Sequence, residues 1–174
     1  MKRDKASRPE RSYITLSSDK SKRVVKGMVS IVTPVRYVNK KWLKASFDSA
    51  LSQDYPNLEL IVVNDVSTEN IDDLVASYGI KKYVKNERNM GAAYSFNRGF
   101  EVSDGEYLYL LAADDYLLPG MFTRLVGELE EHTDFSIVYA GQTIIDENGD
   151  PMKVPIEELS VAKLSGNSIN SSII

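Results

Sequence analysis

Residues 58–68 read LELIVVNDVST, a near-continuous apolar run that ends in two polar residues, Asn64 and Asp65. A strand from Leu58 to Asn64 with so little alternation is typical of a parallel sheet that is covered on both faces. Outward from this run, short β-rich segments alternate with amphipathic stretches, and this order predicts successive βα units. The sequence therefore predicts an α/β fold with a mainly parallel sheet flanked by helices.

Five strands and four helices are expected in this fold. The strands are predicted at residues 28–33, 58–64, 82–85, 107–112 and 136–140. The helices are predicted at residues 42–53, 71–78 and 92–102, and from Pro119 at its first-turn position onward. Pro34 is expected to stop the first strand because proline has no N–H for a ladder. A hairpin is expected over residues 142–154.

Composition limits the possible functions. The chain has 174 residues, of which 43% are hydrophobic and 26% charged, values typical of one soluble globular domain. No apolar run approaches the roughly 20 residues that a membrane-spanning helix needs. The absence of cysteine excludes disulfides, thiolate-bound zinc and thiol catalysis, and His132 is the only histidine. Any bound metal is therefore expected to be a hard ion on carboxylates.

Charge is unevenly distributed along the chain. The first 26 residues carry nine basic and three acidic side chains, whereas the remainder carries 12 basic and 22 acidic ones. We interpret residues 1–26 as a basic, mostly flexible extension, with peripheral contact to anionic lipid at the inner face of a membrane as an open alternative. The acidic body argues against a nucleic-acid partner, since phosphate neutralisation needs clustered cations. The default expectation is a cytoplasmic protein.

Polar side chains follow three of the predicted strands. Residues 34–39 follow the first strand, Asp65 the second and the Asp114-Asp115 pair the fourth, at the strand ends where ligands bind in open α/β sheets. Paired carboxylates repel each other unless a cation or donor compensates, so the pair indicates either a hard metal ion or a cap for the next helix. Neither the P-loop motif nor the Gly-x-Gly-x-x-Gly dinucleotide fingerprint is present.

Four motifs together resemble the opening of family 2 glycosyltransferases, in order from Met28 to Pro151. They are VSIVTPV at residues 29–35, SALSQDYPNLELIVVNDVST at 49–68, Asn89-Met90-Gly91 with Asn97 and Gly99, and LAADDYLLPGM at 111–121. The resemblance implies a GT-A, Rossmann-like fold that binds a nucleotide-diphosphate sugar, UDP-sugar by family habit. It also implies metal-assisted, inverting transfer to a saccharide or lipid-linked acceptor, as in polysaccharide and cell-envelope biosynthesis.

The resemblance assigns roles to individual positions. Asp65 would accept a hydrogen bond from the nucleobase, Asp114 would lie against the ribose, and Asp115 would ligate Mn²⁺ or Mg²⁺. The other donor-binding positions are Pro34, Val35, Arg36 and Tyr37, which would line the nucleobase, and Asn89 and Gly91, which precede a helix N-terminus that favours phosphate.

The chain departs from the family pattern in three places. Arg36 and Tyr37 stand where relatives usually carry Tyr-Asn, Ala112 replaces an aspartate, and Phe96 replaces a frequent arginine. The family's general base usually lies well downstream of the metal motif, so the catalytic carboxylate is expected beyond Ile174. Residues 27–174 are accordingly predicted to form the donor-binding part of a GT-A domain, truncated on the acceptor side.

Two other functions stay open beside the transferase. A non-catalytic nucleotide-sugar-binding module would need no general base. A phospho-receiver domain is a remote alternative. Such a domain requires an acidic pair after the first strand and a lysine after the fifth, and this chain has neither. Here PVR at residues 34–36 and AGQ at residues 140–142 occupy those places.

Overall fold

The computed structural model describes residues 24–152, and its sheet has four strands in the order β3-β2-β1-β4. The strands are β1 (Val25–Val35), β2 (Leu58–Asn64), β3 (Lys82–Lys85) and β4 (Gly105–Leu110). All three neighbouring pairs are parallel, with Val32 opposite Ile61 on one side and Leu110 on the other. The predicted parallel α/β architecture is confirmed.

Four helices accompany these strands, and the described chain divides into two compact units. The helices are α1 (Lys40–Leu51), α2 (Asp72–Ser77), α3 (Ala92–Val102) and α4 (Met121–Glu131). The first unit comprises described residues 24–52 and 56–117, and it contains the sheet with α1, α2 and α3. The second unit comprises described residues 53–55 and 118–152 and contains α4.

Strand β1 continues through Pro34 to Val35, so the prediction that the proline stops it is wrong. The Val29 N–H donates to the Asn57 carbonyl and the Val35 carbonyl accepts from the Asp65 N–H, so odd-numbered residues of β1 from Val29 onward bond towards β2. The backbone nitrogen of Pro34, an even-numbered residue, points towards β4 instead. There β4 has already ended, and the last bond is that from the Leu111 N–H to Val32. The missing N–H therefore costs no ladder bond.

One face of the sheet is covered by α3, which packs against β1 and β2. Val32, Ile61, Val63 and Phe100 form a buried cluster there. A Cβ atom at Gly99 would lie 2.2 Å from Cγ1 of Val32, so glycine allows the helix to approach the strand closely. Side chains alternate along a strand, so the neighbours of Val32 point to the opposite face.

The other three helices bury apolar side chains as their periodicity predicts. In α1, Leu43, Phe47 and Ala50 are buried, and Phe47 meets the ring of Tyr78 edge-on at 5.3 Å between centroids. In α4, Phe122 is buried with the two apolar residues one turn later. Helix α4 begins at Met121, two residues after Pro119, and its N-cap is Gly120 in a left-handed conformation, so the prediction that Pro119 lies in the first turn is wrong.

The second unit departs furthest from the sequence-based expectations. Residues 136–140 form no strand, and Ile137 and Tyr139 in this run are exposed. β-propensity becomes a strand only where a neighbouring strand is available for pairing and packing, and no strand pairs with this run within residues 24–152. The predicted hairpin is reduced to one antiparallel bridge between Ile145 and Pro151.

Val25 and Lys26 belong to β1, so the sheet includes the last two residues of the predicted N-terminal extension. The Val25 N–H donates to the Asp104 carbonyl at 2.7 Å. Residues 1–23 of that extension, and everything after Met152, lie outside the described residues. Among the helices that are described, none is both long and apolar enough to cross a bilayer.

Candidate functional site

All four parallel strands end at the same edge of the sheet, so the loops that follow them are neighbours. The predicted site residues up to Asp115 lie in or beside these loops, within the first unit. Hydrogen bonds link three of these loops directly. The loop after β2 is bonded both to the loop after β1 and to the segment that leads into α3.

Asp65 is the hub of the loop after β2, and it is only 2% exposed. Its Oδ1 accepts from the Met90 N–H and from Nδ2 of Asn86, both at 2.8 Å, and its Oδ2 accepts from the Gly91 N–H at 2.8 Å. A carboxylate offers about four acceptor sites, so three of them are used within the protein. The hydrogen bonds of Asp65 to Met90 and Gly91 thus hold the segment before α3 in position. The contact of Asp65 with a nucleobase stays a prediction.

Asn86 is a functional candidate that sequence reasoning missed. Its Nδ2 donates to Oδ1 of Asp65 at 2.8 Å and to Oγ of Ser95 at 3.0 Å. Its backbone N–H donates to the Asn64 carbonyl at 2.9 Å, just beyond the β2–β3 ladder. The available signal was its position, because Asn86 follows β3 as Asp65 follows β2.

Arg36 connects the loop after β1 to the loop after β2. Its Nη1 donates to the carbonyls of Asp65, at 3.3 Å, and Val66, while its own carbonyl accepts from the Thr68 N–H at 2.8 Å. Val66 has φ 55°, a left-handed conformation that is rare for a β-branched residue. The hydrogen bonds of the guanidinium therefore stabilise a turn with a strained backbone conformation. Direct contact of Arg36 with a ligand stays a prediction.

Of the four residues predicted to line a nucleobase, Tyr37 has the most accessible side chain. It is 79% exposed, whereas Val35 is fully buried in β1. The Arg36 guanidinium lies 5.7 Å from the centre of the Tyr37 ring. The exposed ring is free of the core and available for stacking on a planar ligand.

The segment that leads into α3 contains the predicted residues Asn89 and Gly91. Gly91 is the N-cap of α3 with φ 84°, a conformation that only glycine adopts readily. A Cβ atom there would meet nothing within 4 Å, so backbone conformation and not space requires the glycine. Oδ1 of Asn89 also accepts from the Gly91 N–H, at 3.2 Å.

Asp114 and Asp115 lie in the loop after β4, where the Asp115 N–H donates to the Ala112 carbonyl at 3.2 Å. Burial, followed by the neighbouring charge of Asp114, raises the pKa of the Asp115 carboxyl above its usual range. Burial, with the charge of Asp115 as a second cause, also raises the pKa of Tyr109. The alternative that the pair caps the next helix is wrong, because the N-cap of α4 is Gly120.

The chemistry of this pair fits a hard divalent cation. Within residues 24–152, no group of three or more His, Cys, Asp or Glu side chains is placed to hold a metal ion. Mg²⁺ is typically bound by one or two carboxylates together with substrate phosphates and water. Two adjacent carboxylates, one with a raised pKa, match that arrangement because a cation would offset their repulsion.

A cavity of about 470 Å³ opens where β2 and β3 end. Its lining is polar except for one valine and comes from the two loops and the adjoining ends of β2, β3 and α2: Asn64, Val66, Ser67, Thr68, Glu69, Asn70, Asp72, Lys85, Asn86 and Glu87. Beside it, the Tyr83 hydroxyl accepts from Asn64 at 2.8 Å and donates to Asp72 at 2.7 Å. Burial and the Asp72 carboxylate raise the pKa of Tyr83 to about 12, against an opposing effect of Asn64.

Comparison with known protein families indicates the family to which the chain belongs. The model of the family described as glycosyl transferase family 2 matches residues 30–169 of the chain. The chain belongs to glycosyl transferase family 2. An uncharacterized glycosyltransferase of Rickettsia felis is 32% identical to it over 156 residues, which are 84% of this chain and 26% of that relative. The chain thus spans about a quarter of this relative's length.

Solved structures share the fold of this family 2 chain. Staphylococcus aureus TarS 1-349 is 26% identical with a TM-score of 0.56, over 61% of this chain and 33% of that one. Its complex with UDP-GlcNAc matches 70% of this chain and 41% of its own, with 21% identity and the same TM-score.

A mannosyltransferase, PcManGT of Pyrobaculum calidifontis, in complex with GDP-Man and Mn²⁺, reaches a TM-score of 0.55 at 22% identity, over 60% of this chain and 33% of that one. These likenesses, together with the four-stranded parallel sheet, confirm the predicted GT-A, Rossmann-like fold.

Proposed function

We propose that this chain binds a nucleotide-diphosphate sugar, with UDP as the first candidate nucleotide, and serves the inverting transfer of that sugar to a saccharide or lipid-linked acceptor. The observation that carries the proposal is the Asp114-Asp115 pair at the carboxyl edge of a family 2 sheet, where the pKa of Asp115 is raised. The complex of TarS with UDP-GlcNAc and that of PcManGT with GDP-Man and Mn²⁺ support a donor of this class.

The proposed donor would lie across the loops after β1, β2 and β4. Tyr37, exposed beside the end of β1, would stack on the nucleobase, and Asp65 would accept a base N–H with its remaining acceptor site. Asp114 would accept a hydrogen bond from a ribose hydroxyl. Pro34, Val35 and Arg36 would form the wall on the base side, and Asn89 and Gly91 the wall on the diphosphate side.

Asp115 would hold Mn²⁺ or Mg²⁺ together with oxygens of the diphosphate and water. When bound, such an ion supplies positive charge that stabilises a departing nucleoside diphosphate. Asp115 as a whole is exposed, but before binding the partial desolvation of its carboxyl and the adjacent charge of Asp114 raise its pKa, so ionisation carries a cost. That cost is offset in the metal-bound state, which gives the pair a preference for a loaded donor.

The transfer itself follows from the donor class. An acceptor hydroxyl oxygen forms a bond to the anomeric carbon as the bond from that carbon to the diphosphate oxygen breaks. The leaving diphosphate takes the bonding electrons, and a general base takes the hydroxyl proton. Attack opposite to the leaving group inverts the anomeric centre. We expect the base among residues after Ile174, and we place the reaction in polysaccharide synthesis at the cytoplasmic face of the cell envelope.

A thermal-shift panel tests this function. The chain is melted with UDP, GDP, dTDP and their sugars, each with and without Mn²⁺. A ligand at 100 times its Kd raises the free energy of unfolding by about 2.7 kcal/mol, so a true donor gives a clear increase in Tm. We expect the largest increase with a UDP-sugar and Mn²⁺. No increase with any nucleotide would contradict the proposal.

A donor-consumption assay separates an enzyme from a binding module. Release of free UDP from the same UDP-sugar, dependent on Mn²⁺ and above the rate of the buffer blank, would favour a transferase. Because the base is proposed to lie after Ile174, transfer to an acceptor by this chain is expected to be slow, and the diagnostic signal is Mn²⁺-dependent hydrolysis of the donor, which needs no acceptor site. Binding without even that hydrolysis would favour the non-catalytic module.

A further inference from the structure

We infer that Asn86 is a positioning residue for donor binding: its side-chain amide holds Asp65 against the backbone of Met90 and Gly91, and so fixes the segment that enters α3. The inference rests on the proposed function, because residues 89–91 matter here as the predicted wall on the diphosphate side. Asn86 belongs to none of the motifs that identify the family.

Both hydrogens of the Asn86 amide are engaged. Its Nδ2 donates to Oδ1 of Asp65 at 2.8 Å and to Oγ of Ser95 at 3.0 Å. Asp65 lies at the end of β2 and Ser95 in α3, so one amide joins the sheet to the first turn of that helix. Replacement by a side chain without an N–H donor, such as Ala or Asp, would leave both of these acceptors without this donor.

Burial makes this arrangement rigid. Asp65 is 2% exposed and Ser95 is fully buried, so water does not readily replace a lost hydrogen bond. The Asp65 carboxylate also accepts from the Met90 and Gly91 N–H groups, at 2.8 Å each. The segment therefore cannot shift without leaving a buried carboxylate short of donors.

The segment needs this external support because its own conformation is weakly restricted. Gly91 has φ 84° and no Cβ, and a Cβ there would meet no atom within 4 Å. A loop that is already ordered before binding loses less conformational entropy when the ligand arrives. Asn86 thus acts on the donor through Asp65 and the segment at residues 89–91.

The test uses the variants Asn86→Ala and Asn86→Asp with two measurements. Amide hydrogen exchange by NMR reports on the Met90 and Gly91 N–H groups, and calorimetry reports the Kd for UDP with Mn²⁺. In Asn86→Ala we expect exchange of both amides at least tenfold faster and a Kd weakened about tenfold. Asn86→Asp should weaken binding further, because its carboxylate would face that of Asp65. If Asn86→Ala fails to fold, Ser95→Ala replaces it in the test. This variant removes one acceptor of Asn86 and should give a smaller change in the Kd and in the two exchange rates.

Val29→Ala is the matched control, because it removes buried volume from β1 near the opposite end of the sheet. It should lower the Tm comparably without changing the Kd or the two exchange rates. Unchanged Kd and exchange in the folded Asn86 or Ser95 variants would overturn the inference, as would changes no larger than those in Val29→Ala. If the proposed function is wrong, the unmodified chain does not bind UDP, a result distinct from any effect of the Asn86 variants. The role of Asn86 in donor binding would then be overturned as well.

Discussion

The N–H of Gly91 lies 2.8 Å from Oδ2 of Asp65, a hydrogen bond between residues 26 positions apart in the chain. It joins the loop after β2 to the start of α3. Arg36 makes the corresponding link between the loops after β1 and β2, through the carbonyls of Asp65 and Val66. The loops after β1, β2 and β3 are therefore joined by hydrogen bonds, and the candidate donor-binding residues within these three loops hold one another in place.

The close approach of α3 to the sheet predicts the effect of Gly99→Ala. The added Cβ would lie 2.2 Å from Cγ1 of Val32, a fully buried side chain that has little room to move. Overpacking of this kind costs about 1–3 kcal/mol, so we expect the free energy of unfolding to fall by that amount. Equilibrium denaturation measures it.

Gly127→Ala is the control for that substitution. Gly127 lies in α4, and a Cβ there would meet nothing within 4 Å. Alanine is favoured over glycine in a helix by about 1 kcal/mol, so this variant should be more stable than the unmodified chain. Equal changes in the free energy of unfolding for Gly99→Ala and Gly127→Ala would contradict the role of the contact with Val32.

The conformation of Val66 predicts that Val66→Gly stabilises the chain. A left-handed conformation costs a non-glycine residue about 1–2 kcal/mol, and glycine removes that cost while adding roughly 0.5–1 kcal/mol of backbone entropy. With φ 55° at Val66, we expect a net gain of up to about 1 kcal/mol in urea denaturation. Val38→Gly, at a position without positive φ, should lose stability. A loss of stability in Val66→Gly as well would contradict the backbone strain assigned to Val66.

Two buried hydroxyls of β1 make opposite predictions. Thr33 is fully buried and its Oγ1 has no hydrogen-bond partner in the described part of the chain. Thr33→Val should therefore raise the free energy of unfolding by about 1 kcal/mol or more. Ser30 is equally buried, but its Oγ donates to Glu59 at 2.5 Å and accepts from the Gly105 N–H at 2.8 Å. Ser30→Ala should destabilise, and a Tm change of the same sign in both variants would refute the distinction.

The sequence predicts the first unit much better than the second. Strands β2 and β3 and helix α3 have the predicted bounds, because Leu58–Asn64 and Ala92–Val102 show clear apolar patterns that burial follows. Residues 136–140 have the composition of a strand, yet composition does not reveal whether a neighbouring strand exists. Exposed Ile137 and Tyr139 show the difference.

The candidate site was predictable in its location but not in its internal bonding. The rule that ligands bind at strand carboxyl ends selected Asp65 and Asp115 as candidates, and the structure has both at that edge of the sheet; their contact with a ligand stays a prediction. The hydrogen bonds of Asp65 to Asn86 and Gly91 depend on the parallel order β3-β2-β1, which brings residues far apart in sequence together. That order is a property of the folded sheet and not of local sequence.

The raised pKa of Tyr83 predicts a loss of stability at alkaline pH. Its pKa is about 12 in the folded chain and 10.0 in a model peptide, so the unfolded chain releases this proton first as pH rises. The stabilisation that depends on the neutral hydroxyl is complete below pH 10 and lost as the pH approaches 12. In urea denaturation, the stability advantage of the unmodified chain over Tyr83→Phe should therefore shrink between these limits. A constant difference would contradict the assigned pKa.

Calorimetric titration of UDP in Mn²⁺ and in EDTA tests the central claim, that Asp115 makes nucleotide binding depend on a divalent cation. The unmodified chain should bind UDP more tightly in Mn²⁺ than in EDTA. Asp115→Asn should lose that gain without a lower Tm, because Asp115 is exposed and the substitution removes the charge repulsion with Asp114 that helps to raise its pKa. Asp73→Asn, the same change at an exposed position of α2, should keep the gain. Equal UDP affinity of the unmodified chain in Mn²⁺ and in EDTA would contradict the claim.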